Sequence, residues 1–217
     1  MYFIIIMTNT NKIKGFYINL DSREDRKIHF ENLKQSYPFF EGVDRISAIQ
    51  DNNGAIGCGK SHIKVLTKCL EMEDNVFFVC EDDLTILNKV HLSTFISSLN
   101  IDDDWDVITL TPRGNTMKGQ ELPNDFLRIY NNQTTTGYII KKTFIPQLIK
   151  NLQNAVNGLE KGGDLITYSI DQYWKRLQTK HKFYYFKHIF AGQLPGYSDI
   201  EKRDVDYNKR FTEQNNY

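Results

Sequence analysis

The chain has 217 residues, a length that suits one well-buried domain. Lysine and arginine together number 27, and aspartate and glutamate also number 27, so the formal net charge is zero. A chain without net positive charge has no overall field to hold a polyanion, and nucleic acid is therefore not expected as a main partner. The aromatic content of 13% and the mean hydropathy of −0.49 are typical of a globular protein with an ordinary core.

The apolar start of the chain, MYFIIIM, is too short to be a membrane anchor. It has seven residues, whereas a membrane-spanning helix needs roughly 20, and it lacks a basic leader and a small-residue cleavage site. We therefore expect no membrane span, no signal peptide and a cytoplasmic protein. Residues 1–217 are expected to form one domain, in which 1–13 are a frayed extra strand or a preamble before Met7 and 201–217 are an irregular tail.

The cysteines do not predict a metal site or a disulfide framework. Cys58, Cys69 and Cys80 are odd in number, and their spacing of eleven is not a spacing typical of metal ligands. We expect reduced thiols in or near the core.

Strand and helix signals alternate through the first half of the chain. Residues 14–20 are a β-rich run, and Asp21-Ser22 follow as a helix N-cap signal. A second brief strand is predicted at 45–49, and a glycine-rich turn then opens a helix in which apolar residues recur at helical spacing. Residues 75–83 are predicted to be the third strand, which is buried.

The remaining elements continue this alternation. Alternating strands and helices favour an α/β fold around a mainly parallel sheet, which binds ligands at the carboxyl ends of its strands. The later predicted elements are, in order, a helix at 91–99, a strand at 105–110, a long surface loop at 112–125, a strand and a helix within 134–152, a helix at 169–177 and a strand at 183–186. Ser169 or Asp164 is the predicted cap of the last helix.

The most informative stretch is NVFFVCEDD, in which the third strand ends in Glu81, Asp82 and Asp83. Carboxylate oxygens suit hard divalent ions such as Mg²⁺ and Mn²⁺, which bridge to phosphates. Adjacent acids repel one another unless a cation neutralises them, so the stretch predicts a metal-phosphate site. A solvated acidic turn is the alternative. On an extended chain Glu81 and Asp83 point to the same side and are the metal candidates, while Asp82 points away unless the turn begins there.

A competing motif lies at residues 54–61. Their sequence, GAIGCGKS, matches the Walker A pattern, in which backbone N–H groups and a lysine hold phosphates at a helix N-terminus. The match makes a P-loop NTPase or kinase the alternative prediction, with residues 77–83 as a Walker B strand. The context is unfavourable, because a P-loop needs a buried strand that runs straight into the glycine turn, and the polar residues 50–53 intervene.

Four segments, taken in order, resemble glycosyltransferase family 25, the family of lipooligosaccharide and procollagen sugar transferases. The first is a strand followed by two arginines, FYINLDSREDR, and the second is a Gly-x-x-Gly-Cys-x-x-Ser-His turn, GAIGCGKSH. The third is a Glu-Asp-Asp sequence after a hydrophobic strand, CEDD, and the fourth is the closing segment FAGQLPGYSDI. Gly59 and Lys60 depart from the family pattern, which usually has bulky apolar residues there. Lys60 is then either a surface residue or an extra phosphate contact.

The resemblance implies a GT-A type fold, a nucleotide-sugar-binding α/β domain with a mixed, mostly parallel sheet flanked by helices. It also implies a metal-dependent, inverting enzyme that moves a hexose from a UDP-sugar to a hydroxyl of a glycan or of a hydroxylysine-type glycoprotein acceptor. Mn²⁺ or Mg²⁺ is the implied cofactor. A noncatalytic sugar-binding protein that keeps the fold is the remaining alternative.

Particular residues take roles under this resemblance. Asp171 is the candidate general base, with Asp164 in reserve, and Trp174 could pack on a sugar face. A helix N-terminal acid favoured by the dipole is the alternative for Asp171. The implied metal ligands are Glu81, Asp83 and Asp199. The implied contacts to the sugar nucleotide are Asn19, Leu20, Arg23, Arg26, Gly57, Ser61, His62, Glu81 and Asp82.

Overall fold

The computed structural model describes residues 12–115, 121–122, 124–198 and 200–208. The strands are β1 (Gly15–Asn19), β2 (Val43–Ser47), β3 (Val76–Glu81), β4 (Leu84–Ile86), β5 (Val107–Thr109), β6 (Arg113–Asn115), β7 (Glu121–Leu122), β8 (Phe126–Arg128), β9 (Asn131–Gln133), β10 (Gly137–Lys141), β11 (Phe183–Phe186), β12 (Ala191–Gln193), β13 (Gly196–Ser198) and β14 (Arg203–Val205). The helices are α1 (Glu24–Ser36), α2 (Gly54–Glu71), α3 (Lys89–Ser98), α4 (Ile145–Glu160), α5 (Leu165–Tyr168), α6 (Ile170–Tyr173) and α7 (Lys175–Gln178).

Eight strands form one central sheet in the order β2-β1-β3-β10-β5-β11-β8-β7. Only β10 and β8 run opposite to the other strands of this sheet. The predicted mixed, mostly parallel sheet flanked by helices is therefore confirmed. Strands β4 and β12, β6 and β9, and β13 and β14 form three small antiparallel pairs outside it.

The side chains of β3 alternate between two cores on opposite faces of the sheet. Phe78 and Cys80 pack on one face with buried residues of α1 and α3. Phe77 and Val79 pack on the other face with buried residues of α2 and α4. Each buried phenylalanine stabilises the fold by about 1.5–3 kcal/mol relative to an exposed one. The run of apolar residues in the sequence thus reflects burial on both faces, which places the end of β3 in the middle of the molecule.

Helices α2 and α4 pack closely against one another on the second face. Helix α4 carries a proline in its first turn, and its apolar residues follow a helical spacing that buries one side of the helix. A Cβ atom at Gly59 would lie 2.5 Å from Cγ2 of Val156 and 3.0 Å from Cγ2 of Ile170. The glycine that departs from the family pattern therefore permits this close helix packing.

One edge of the sheet collects the segments that carry the predicted site residues. Strands β1, β2 and β3 are parallel neighbours, so their carboxyl ends lie at the same edge. Strand β10 runs antiparallel to β3 and pairs Gly137 with Cys80, which brings residues 134–136 to that edge as well. The topology thus places the acids after β3 among four chain segments.

The start of α1 differs from the prediction. Its N-cap is Arg23, whose side chain makes no capping hydrogen bond, so the predicted cap at Asp21-Ser22 is wrong. The carboxylate of Asp21 accepts hydrogen bonds from Arg45 and from Oγ of Ser47 instead. A neighbouring strand supplies a charged donor that local sequence does not reveal.

Two later predictions also need correction. The single helix predicted at 169–177 is divided into the short helices α6 and α7, and the short helix α5 ends just before it. The predicted irregular tail contains β14, which pairs with β13, and residues 209–217 lie outside the described part of the chain, as do residues 1–11. Within the described residues, every helix is too short or too polar to cross a membrane.

Candidate active site

A cavity of about 570 Å³ opens at the edge of the sheet where β1, β2 and β3 end. The predicted site residues that line it are Leu20, Arg23, Arg26, Gly57, Ser61, His62, Glu81, Asp82, Asp83 and Asp171. Asn19 and Asp164 are not part of its lining, and Asp199 lies outside the described residues. Most of the predicted set is therefore brought together.

Glu81 is the last residue of β3 and lies next to His62. Its Oε1 accepts a hydrogen bond from Oγ1 of Thr135 at 2.9 Å and lies 3.5 Å from Nε2 of His62, an ion-pair distance. Burial acts to raise the pKa of this carboxyl, but the attraction of His62, Thr135 and Arg26 outweighs burial, and the pKa is lowered overall. Glu81 is therefore held as a carboxylate.

Asp82 and Asp83 share one cation, the guanidinium of Arg26. Its NH1 lies 3.1 Å from Oδ1 of Asp82 and 3.3 Å from Oδ2 of Asp83. Strand β3 ends at Glu81, so the turn begins at Asp82 and the alternation of an extended chain does not turn its side chain away. Arg26 thus joins Asp82 and Asp83, and the prediction that Glu81 and Asp83 hold a metal ion is a separate assignment that this contact leaves unchanged.

Asp83 has one carboxylate oxygen that needs a partner. Its exposure is 8%, and burial, reinforced by the neighbouring charge of Glu81, raises the pKa of Asp83 to about 7 although Arg26 opposes the shift. Among the described residues, no donor reaches its Oδ1 with the geometry of a hydrogen bond, although the side chain of Gln193 also acts to lower the pKa. Because a buried carboxylate oxygen without a donor or cation is costly, this atom favours a bound cation.

Asn19 contacts Asp82 but does not line the cavity. Its Nδ2 donates to Oδ2 of Asp82 at 2.7 Å, and its Oδ1 accepts from Nε of Arg45 at 2.8 Å. The residue is 1% exposed. Asn19 is therefore placed to orient the side chain of Asp82. The resemblance implies a direct contact to the sugar nucleotide instead.

The two arginines of the first family segment differ in position. Arg26 reaches inward to the acids, and its NH2 also donates to the carbonyl oxygen of Tyr197 at 2.9 Å. Arg23 forms an ion pair with Asp25 at 2.9 Å and donates to the same carbonyl oxygen at 3.4 Å. Both arginines thus connect α1 to β13 at the rim of the cavity.

Replacing Arg26 by methionine should lower the free energy of unfolding by about 3 kcal/mol, because two buried carboxylates lose their cation. The side chains of Arg26, Asp82 and Asp83 are only 13%, 9% and 12% exposed, so solvent screens them little. Urea unfolding without divalent ions measures the change. Arg23→Met is the matched control, with a loss below about 1 kcal/mol, since its partner Asp25 is exposed. Equal losses in the two variants would contradict the assigned network.

Residues 54–61 do not have the backbone of a P-loop. Helix α2 already begins at Gly54, with Asn53 as its capping residue, so the predicted glycine-rich turn is wrong. The later N–H groups of this segment bond within the helix and are not free to hold phosphates. Nζ of Lys60 lies 3.2 Å from Oδ2 of Asp51 and 2.8 Å from Oε1 of Glu160. Of its two predicted roles, Lys60 thus takes the surface role.

Gly57 and Ser61 hold the segment after β2 against α2. Oγ of Ser61 accepts a hydrogen bond from N of Ile49 and donates to O of Gly57, both at 2.7 Å. A Cβ atom at Gly57 would lie 2.7 Å from O of Ile49, so a larger residue would push this segment away. The hydroxyl of Ser61 is fully used inside the protein, which makes it a positioning group for the cavity wall.

Asp171, the candidate base, lies in α6 and lines the cavity. Its Oδ2 accepts a hydrogen bond from N of Thr134 at 3.3 Å, and Thr134 has a φ of 85°, in the left-handed region. Burial raises the pKa of Asp171, although the charge of Arg113 and the bond from Thr134 oppose the shift. A half-buried carboxylate with a raised pKa at a cavity wall suits proton transfer.

The reserve base and the predicted stacking residue lie elsewhere. Asp164 caps α5, where its carboxylate accepts from N and Oγ1 of Thr167 at 2.8 and 2.9 Å. Trp174 is fully buried, and its Nε1 donates to O of Asn132 at 3.0 Å. The predicted packing of Trp174 on a sugar face is therefore wrong, because the ring belongs to the core.

Sequence reasoning did not single out three residues that line the cavity. They are Arg113, Thr134 and Thr135. The threonines precede β10, and only the antiparallel pairing of β10 with β3 brings them to the acids. Polar residues just before a buried strand are the signal that could have identified them, whereas Arg113 falls in the predicted surface loop.

Comparison with protein families decides the identity of the chain. The sequence profile of the family described as Glycosyltransferase family 25 (LPS biosynthesis protein) matches residues 50–174, more than half of the chain. The chain belongs to glycosyltransferase family 25. It is a glycosyltransferase, and the family match includes α2, the acids after β3 and Asp171. No curated protein matches the chain significantly.

Two solved structures share the fold of this family 25 chain. One is described as a glycosyltransferase involved in the glycosylation of the major capsid of PBCV-1; it has 10% sequence identity and a TM-score of 0.56, and the match covers 88% of this chain and 96% of that chain. The other is A197 from STIV, with 12% identity, a TM-score of 0.50, and coverage of 89% and 93%. At such identities the likeness concerns the fold, and it supports the predicted glycosyltransferase architecture.

Proposed function

We propose that this family 25 enzyme uses a UDP-sugar donor with Mn²⁺ or Mg²⁺ and transfers a hexose, with inversion, to a hydroxyl of a glycan or hydroxylysine-type glycoprotein. The carboxylate of Asp83 carries this proposal. It lines the cavity, it is buried, and within the described chain its Oδ1 has no hydrogen bond of good geometry. A cation at this oxygen would remove the cost of burying it, and a diphosphate would complete the charge balance.

The donor atoms at this edge suit a hard cation. Glu81 and Asp83 both contribute carboxylates to the cavity wall, and the charge of Glu81 helps to raise the pKa of Asp83. Two carboxylates that repel each other in this way would both be stabilised by one shared divalent ion. When bound, the ion supplies positive charge that stabilises the diphosphate leaving group. Asp199 remains a predicted third ligand.

The two arginines are suited to the diphosphate itself. Arg23 and Arg26 both line the cavity beside the acids, and a guanidinium group can bind phosphate through two parallel N–H donors. Arg26 also neutralises Asp82 and Asp83. We therefore assign to Arg26 a double role, in which it stabilises the acids before the donor binds and contacts the diphosphate afterwards.

Asp171 is suited to receive the proton of the acceptor hydroxyl. A single displacement needs a base on the acceptor side of the anomeric carbon, and positioned bases contribute about 10²–10⁴ in rate. The N–H of Thr134 fixes one oxygen of Asp171 at 3.3 Å. The other oxygen is the one that would take the proton, after which the hydroxyl oxygen attacks the anomeric carbon and UDP leaves with the electron pair of the broken bond.

Donor hydrolysis tests the proposal, because water replaces the acceptor in this slow side reaction. The purified protein is incubated with UDP-glucose, UDP-galactose and UDP-N-acetylhexosamines, with Mn²⁺ or with a chelator, and released UDP is measured. We expect Mn²⁺-dependent release from at least one donor. Rapid NMR of the released sugar should show the anomer opposite to that of the donor. UDP release that is unchanged by the chelator would overturn the metal requirement, and absence of release from every donor would count against UDP-sugars.

A further inference from the structure

Three side chains that can bind a metal meet on the cavity wall. One of them is Glu81, and the other two, Cys58 and His62, do not belong to the acidic cluster at the end of β3. Cys58 and His62 lie one helical turn apart on α2, and Glu81 lies opposite them at the end of β3. The sulfur of Cys58, a ring nitrogen of His62 and a carboxylate oxygen of Glu81 all lie within 4.8 Å of one another. Cys58 and His62 are not needed for the hard cation proposed at Glu81 and Asp83.

The spacing of these atoms is close to that of a zinc site. Zinc bonds of about 2.0–2.3 Å in a tetrahedral arrangement place ligand atoms about 3.4–3.6 Å apart. Nε2 of His62 already lies 3.5 Å from Oε1 of Glu81. The sulfur of Cys58 lies at most 4.8 Å from a ring nitrogen of His62 and from a carboxylate oxygen of Glu81, which is no more than about 1.4 Å beyond the spacing of zinc ligands.

Neighbouring groups hold two of the ligands in suitable orientations. Nδ1 of His62 lies 3.0 Å from the hydroxyl of Tyr138. When Nδ1 donates its proton to this hydroxyl, the lone pair of Nε2 is available to a metal. Nε2 belongs to a fully buried ring, and in the described part of the chain it has no hydrogen-bond partner of suitable geometry. Oγ1 of Thr135 donates to Glu81 at 2.9 Å and fixes the carboxylate.

The surrounding charge also favours a cation. Burial raises the pKa of the Cys58 thiol, and the negative charges of Glu81, Asp171 and Asp83 raise it further. A metal ion would replace the thiol proton and reduce the repulsion among these acids. A thiolate and an imidazole prefer zinc to the harder magnesium and manganese ions.

We propose that Cys58, His62 and Glu81 form a binding site for a thiophilic divalent ion, with Zn²⁺ as the best fit and one coordination position open to the cavity. Binding replaces the proton on the sulfur of Cys58, and the proton that Nε2 of His62 carries when it pairs with Glu81, by bonds to the metal, and the protons leave to solvent. If the function proposed above holds, Zn²⁺ would compete for Glu81 with the hard cation used in transfer.

Co²⁺ is the probe for this site, because a bound thiolate gives it an intense near-ultraviolet charge-transfer band. The full chain, freed of metal by a chelator, is titrated with Co²⁺ without any nucleotide, so the result does not depend on the donor. We expect one Co²⁺ per chain with this band, and the band should disappear when Zn²⁺ displaces Co²⁺. Cys58→Ala should abolish the band and weaken binding at least about 100-fold, since even loss of an outer-shell partner costs 10–100-fold.

Two further variants distinguish the loss of a metal ligand from a general effect of mutation on folding. Cys69→Ala is the matched control, because Cys69 lies on the same helix, is buried in the core and is not part of the cluster. It should keep the band. His62→Gln should weaken binding while Cys58 remains, which covers the case of a poorly folded Cys58→Ala. The proposal is overturned if the wild-type chain shows no thiolate band, or if the band survives Cys58→Ala.

Discussion

Replacing Asp83 by asparagine should abolish Mn²⁺-dependent binding of UDP, with an affinity loss of at least about 100-fold, because the variant loses a charged metal ligand. Asparagine keeps the shape of the side chain but cannot neutralise a divalent ion. Isothermal titration of UDP, with and without Mn²⁺, measures the change. The wild-type chain should bind UDP only when the cation is present.

The same variant should fold at least as well as the wild-type chain. The pKa of Asp83 is about 7 in the folded protein, above its ordinary value of 3.8, so ionisation of this carboxyl opposes folding. Stability is therefore lost as the pH rises between these two values and is regained when the group is replaced by a neutral amide. Loss of UDP binding without loss of stability would separate a ligand role from a folding role.

Asp104→Asn is the matched control for this experiment. Asp104 is exposed and pairs with Lys182, away from the residues that line the cavity. Its removal should leave UDP binding unchanged. Metal-independent UDP binding that Asp83→Asn does not alter would refute the assignment of Asp83 as a metal ligand, even though the fold and family would stand.

The acids after β3 could be predicted because two simple patterns determine them. The apolar run before Glu81 predicts a buried strand, and the carboxyl ends of parallel strands meet at one edge of a sheet. The same logic brings Arg26 and His62 to the cavity, since each follows a strand of the parallel set. Strand alternation alone could not predict that Arg26 is shared by Asp82 and Asp83, since the extended geometry ends at Glu81.

Other features depend on contacts between distant segments. The local sequence around Trp174 would be the same whether its ring packed on a sugar or in the core. The hydrogen bond from its Nε1 to O of Asn132 on β9 shows that the ring lies in the core. The thiol of Cys58 and the ring of His62 carry a visible helical spacing, yet their proximity to Glu81 requires the packing of α2 against the sheet. Local sequence fixes neither of these partners.

Replacing Asp171 by asparagine should lower the rate of transfer by about 10²–10⁴, because a positioned base contributes that much to proton transfer. Asparagine can still accept the hydrogen bond from Thr134, so the local structure should remain. The measurement is kcat for transfer to an acceptor, or for donor hydrolysis, at saturating UDP-sugar. Mn²⁺-dependent UDP binding should change little, since Asp171 is assigned to the acceptor hydroxyl.

The pH dependence distinguishes a base from a residue that only shapes the cavity. Burial raises the pKa of Asp171, and only the deprotonated form can accept a proton. The rate of the wild-type enzyme should therefore fall as the pH falls through this raised pKa, with the acidic limb above the ordinary range of aspartate. In Asp171→Asn the residual rate should lose this limb. If Asp171→Asn keeps the acidic limb of the pH–rate profile, another residue takes the proton. If the variant loses UDP binding while kcat is unchanged, Asp171 is not the base.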